Sequence, residues 1–68
     1  MKRKFTLVGV DGNAFSVMGY VSQAMEICGK NAQEIKAYEN DAMSADYNHL
    51  IAVSVDMLET LNAMQDEA

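Results

Sequence analysis

Between Asn13 and Gly29 a stripe of apolar residues runs through Ala14, Val17, Met18, Val21, Ala24, Met25 and Cys28. That is the i, i+3, i+4, i+7 spacing of one helix face, kept up for longer than any ordinary strand runs. Asn13 is a favoured N-cap, because its side chain accepts a bond from an orphan amide of the first turn. Gly29 suits the left-handed position that closes a helix. The spacing predicts a first helix over 14–28. The competing reading is a hairpin, since Asp11-Gly12 between apolar runs is a hairpin signal and Ala14 to Val21 alternates tolerably as a strand. Length decides for the helix. Phe15, Tyr20 and Ile27 lie off the stripe, so this helix is apolar nearly all round and belongs at the centre of the fold or at an interface.

Two further helices come after it. Asn31 with Glu34 three residues on has the spacing of a capping box, and Ala32, Ile35, Tyr38 and Ala42 make a narrow apolar face over 31–43. Ser44 or Asp46 can cap the third helix, over 46–62, where Tyr47, Leu50, Ile51, Ser54, Leu58 and Leu61 share one face and Val53, Met57 and Met64 widen it. Residues 63–68 are expected to fray. Before the first helix, Lys4-Phe5-Thr6-Leu7-Val8-Gly9-Val10 reads as a strand over 4–10, with β-branched residues and a turn after it. Residues 1–3 form a basic end. The expected fold is mainly α: one small domain of a short N-terminal strand and three helices, in the order βααα.

A lone strand cannot satisfy its own backbone amides and carbonyls. The chain has 68 residues and one cysteine. Ordering it costs roughly 1.5 kcal/mol per residue, on the order of 100 kcal/mol in all, which a core this small offsets only narrowly. Neither an intrachain disulfide nor a paired Cys/His metal framework is available. These points together predict a homo-oligomer, with a dimer favoured and the strand paired across its interface. Phe5, Leu7, Phe15, Met18, Tyr20, Tyr47 and His49 are the candidate interface residues.

The formal net charge is -5, and three of the five basic residues are Lys2, Arg3 and Lys4. An acidic body argues against binding nucleic acid, which requires neutralised phosphates. A helix-turn-helix drawn through the second and third helices fails on the same ground, since the third helix holds no Arg or Lys to reach bases. No apolar run approaches the roughly 20 residues of a membrane span. Downstream of Met1 the chain is interrupted by Gly9, Asp11 and Gly12 before any signal-length apolar stretch, so a cytoplasmic protein is expected.

Three constellations carry potential chemistry. Asp11-Gly12-Asn13 stands where a helix begins, and such a place can hold a phosphorylated or carboxylated anion at exposed amides. Lys4 would then offset the charge of Asp11. The pattern is far weaker than a phosphate loop, and a tight turn with a cap explains it equally. Asp46, His49 and Asp56 can share one side of the third helix, as an acid-base or metal site or as a cap, a half-exposed histidine and a solvated acid. Cys28 falls in an apolar stripe, where a small buried hydrophobe is the simpler reading. No catalytic residue, metal or cofactor is expected.

Leu7-Val8-Gly9-Val10-Asp11-Gly12-Asn13-Ala14-Phe15 resembles a family of short proteins of bacteriophages, prophages and other bacterial mobile elements. So do Met18-Gly19-Tyr20-Val21-Ser22-Gln23-Ala24-Met25 and Ala42-Met43-Ser44-Ala45-Asp46-Tyr47-Asn48-His49-Leu50-Ile51. The similarity runs from about Leu7 to Leu58 in this strand-to-helix reading. Members often carry Gly at the place of Ala45 and Asp at that of Asn48. The resemblance implies a small phage protein that acts by binding, and even inhibiting, a host protein. The expected function is therefore non-enzymatic self-association and macromolecular binding, with anion binding at the Asp11-Gly12-Asn13 turn as the alternative.

Overall fold

The structure, a computed structural model, describes residues 4–66. The basic end at 1–3 and the last residues of the expected tail, 67 and 68, lie outside them. Three helices make up the described chain: α1 (Ala14–Ile27), α2 (Ala32–Ala42) and α3 (Tyr47–Asp66). Each packs on the other two.

The first helix begins and ends where its local chemistry dictates. Asn13 is extended and its side chain accepts from the Phe15 amide at 2.8 Å. At the far end Gly29 takes φ +87°. Its amide donates to the Glu26 carbonyl at 3.0 Å, and that of Lys30 donates to the Met25 carbonyl at 2.9 Å. This paired closure of the last turn needs a left-handed residue, which glycine supplies without a Cβ penalty. The hairpin alternative for residues 14–21 is thus excluded. Both halves of the capping box open α2: Glu34 N–H donates to Asn31 Oδ1 at 2.8 Å, and Asn31 N–H to Glu34 Oε1 at 3.3 Å. Asp46 rather than Ser44 caps α3, accepting from the His49 amide at 2.9 Å.

The core is the set of faces these helices turn inward. Val17, Met18, Val21, Ala24 and Met25 come from α1, Tyr38 and Ala42 from α2, and Leu50, Leu58 and Leu61 from α3. Ala14, Cys28 and Ile35 are half-buried against that cluster, whereas Ala32 is exposed. One polar pair lies inside it. Ser54 is fully buried, and its hydroxyl is 2.7 Å from that of Tyr38. Without this partner either hydroxyl would forfeit its hydrogen bond to water for nothing. Burial pushes the Tyr38 phenol above its ordinary value of 10.0, against the opposing pull of the Ser54 bond, and the nearby Glu39 carboxylate pushes the same way as burial.

Two expectations need correction. The described residues contain no strand. Residues 4–6 have no regular structure, and 7–10 fold into a turn in which Val10 N–H donates to the Leu7 carbonyl at 3.0 Å and Gly9 takes φ +84°. Side chains do what a partner strand would have done. Asn62 accepts from the Phe5 amide at 2.8 Å and donates to its carbonyl at 2.9 Å. The Tyr20 hydroxyl accepts from the Thr6 amide at 3.1 Å. Residues 4–10 therefore form a strap laid across α1 and α3. The second correction concerns the tail: α3 continues through residues 63–66, where fraying was expected. Leu61 is fully buried and Asn62 is tied to the strap, so the helix is anchored late in its length.

Candidate functional site

The strap ends in the core. Phe5 is 6% exposed and meets the Tyr20 ring edge-on, with centroids 6.5 Å apart. On one side of it a groove of about 300 Å³ opens between the strap and α3, lined by Phe5, Leu7, Val8, Val55, Leu58 and Asn62. Lys4 and Glu59 stand among its lining residues with opposite charges. On the other side a groove of about 190 Å³ runs along α1, past Tyr20, Gln23, Ala24 and Ile27. Val8 is 86% exposed and Val55 41% exposed, so the first groove presents two large aliphatic side chains to water.

The interface candidates divide accordingly. Phe5 and Met18, at 6% and 7% exposure, pack in the core of the single chain and offer almost no surface to a partner in this form. The hydrophobic effect that marked them is already satisfied within the chain. Leu7 and Tyr20 are half-buried against the core. Phe15 is 76% exposed and Tyr47 is 47% exposed. His49 is half-buried at the corner between α2 and α3. Sequence reasoning misses Val8 and Val55, because Val8 reads as part of a strand and Val55 lies off the apolar face of α3.

Several polar groups of the Asp11-Gly12-Asn13 turn are bonded within the fold. Asp11 Oδ1 accepts from the Asn13 amide at 3.0 Å, Asn13 Oδ1 accepts from Phe15, and the Tyr47 hydroxyl donates to the Gly12 carbonyl. A Cβ at Gly12 would stand 3.6 Å from the Tyr47 oxygen, an ordinary contact, so packing does not demand glycine there. Lys4 lines the two grooves beside the strap, and neither includes the turn.

His49 closes the corner. Its Nε2 lies 3.0 Å from the Asp41 carbonyl, 3.2 Å from Asp41 Oδ1 and 3.4 Å from Ser44 Oγ. Asp46 reaches His49 through the backbone amide only, as the cap. Asp56 is exposed. Among the described residues no group of three or more His, Cys, Asp or Glu side chains is arranged to hold a metal ion. A third groove, of about 370 Å³ between α1 and α2, carries Glu26 and Glu39 against Lys30 and Lys36. Ser22 donates to Glu39 there at 2.9 Å. Two acids against two lysines select no sign of ligand charge.

In the comparisons with known proteins, the chain matches no family model, no curated protein and no solved structure. No described helix is long and apolar enough to cross a membrane.

Proposed function

We propose that this chain is a non-enzymatic protein of a phage or other mobile element that self-associates and binds a macromolecular partner, a host protein whose activity it inhibits. The observation that carries the reading is the pair Val8 and Val55, 86% and 41% exposed, both in the lining of one groove next to the strap. Single exposed aliphatic residues are common on protein surfaces, whereas apolar side chains grouped in a concavity mark surfaces that bind. Covering Val8 alone on association returns about 1.5 kcal/mol or more. Phe15, 76% exposed near the start of α1, adds a second apolar contact of larger area.

The test is sedimentation across the micromolar range for the native chain and for Val8→Lys. Val8 is so exposed that the lysine should leave the fold intact. The native chain should gain mass with concentration, and the variant should remain a monomer. A native chain that stays monomeric throughout removes self-association from the proposal. Pull-down from host lysate with the same pair of proteins checks the partner: a band retained equally by Val8→Lys places that contact elsewhere.

A further inference from the structure

We propose that the strap is exchangeable: in the self-associated protein, Phe5 of one copy fills the slot between α1 and α3 of a second copy, and the reverse. The inference rests on the self-association reading and adds what is exchanged.

Three observations carry it. First, side chains of the helices, far away in sequence, hold the backbone of Phe5 and Thr6. Asn62 binds both the amide and the carbonyl of Phe5, and the Tyr20 hydroxyl takes the Thr6 amide. The Phe5 ring rests edge-on against Tyr20. None of these contacts requires that strap and helices belong to one molecule. A second copy offers an identical slot, so exchange keeps every one of them and gives up only the bonds of the turn itself, Val10 N–H to the Leu7 carbonyl and the exposed Val8 N–H to Thr6 Oγ1.

Second, the hinge opposes its own sequence. Val8 and Val10 are β-branched and stiff, and favour extended backbone. In the closed form the segment 7–10 instead folds back through Gly9 at φ +84°, and Val8 is left 86% exposed. A local preference that contradicts the observed conformation marks a place where a second arrangement lies close in free energy. Opening the turn lets residues 4–10 run extended and frees Val8 to pack.

Third, the reach is sufficient. Seven extended residues span about 23 Å, and the body is only 15 Å across its shortest axis. An opened strap can therefore cross to a neighbouring copy. The occupant is a second copy because the slot fits this segment, aromatic ring and backbone together.

The experiment is an isotope-filtered NOE measurement on a size-selected dimer, prepared by unfolding and refolding labelled and unlabelled chains together. Contacts between Phe5 ring protons of one copy and Tyr20 ring protons of the other are expected. A dimer in which these contacts occur only within a copy overturns the exchange and leaves self-association standing. A chain that is monomeric even at millimolar concentration overturns both. Gly9→Val gives an independent reading. A Cβ at Gly9 meets nothing within 4 Å, so the variant raises no clash, but φ +84° is strained for any side chain. A β-branched residue penalises the closed turn, so the dimer association constant should rise on the order of tenfold. An unchanged or lower constant overturns the hinge.

Discussion

The strap and the corner between α2 and α3 are both short non-helical segments fastened by polar side chains, yet they are fastened on different scales. In the strap, Phe5 is bonded to Asn62, 57 positions along the chain, and its ring is in the core. In the corner, Ser44, Asp46 and His49 find partners within eight positions, and the His49 and Asp41 side chains are 37% and 59% exposed. Local bonds in water are replaced by solvent at little cost when they break. Bonds beside a core are not. The strap should therefore report on the whole fold, and the corner only on itself.

Asn62→Ala gives the largest effect. It removes donor and acceptor together from the part-buried Phe5 backbone, and chemical denaturation should show a loss of about 2 kcal/mol. A loss under half of that would mean that water replaces the clasp and that the two regions are alike.

Tyr38→Phe sharpens the comparison, because its bond to Ser54 is also long-range and more deeply buried than the clasp. It should cost about 1 kcal/mol near neutral pH by stranding the Ser54 hydroxyl. It also has a pH signature. The phenol is raised in the folded chain, so the unfolded chain loses its proton first. This contribution to stability is complete below pH 10 and is lost as pH rises through the higher folded value. Denaturation curves of the native chain should fall across that alkaline window, and the Tyr38→Phe variant should fall less. The smallest effect belongs to the corner. His49→Ala breaks exposed contacts to Asp41 and Ser44 and should cost less than about 1 kcal/mol. If it costs more than Asn62→Ala, range and burial do not govern these segments.

The same division decides what could be read from the sequence. Asn13, Gly29, Asn31 with Glu34, and Asp46 act on residues within a few positions, and each was legible as a helix boundary. The apolar face of α1 was legible because its periodicity is local. Gly9 was not, since nothing in Leu7-Val8-Gly9-Val10 shows that Asn62 will take the place of a partner strand. Ser54 was visible on the buried face of α3, but its reason, Tyr38, sits on another helix. For the candidate site, Leu7 and Leu58 could be picked out as apolar, whereas the exposure of Val8 comes from a turn that only the tertiary contacts produce. The Asp11-Gly12-Asn13 turn was legible too, and its bonds to itself and to Tyr47 supply the plain explanation that the pattern allowed from the start.

Asn62 places a narrow demand on substitution. Among side chains of its length only an amide offers a donor and an acceptor side by side: Asp presents two acceptors, Leu presents neither, and Gln carries the same pair one methylene too far. Because the clasp holds the backbone of residue 5, which any residue but proline supplies, sequences that descend from a common ancestor with this chain should keep asparagine at position 62 even where the side chain at position 5 changes, although 57 positions separate the two.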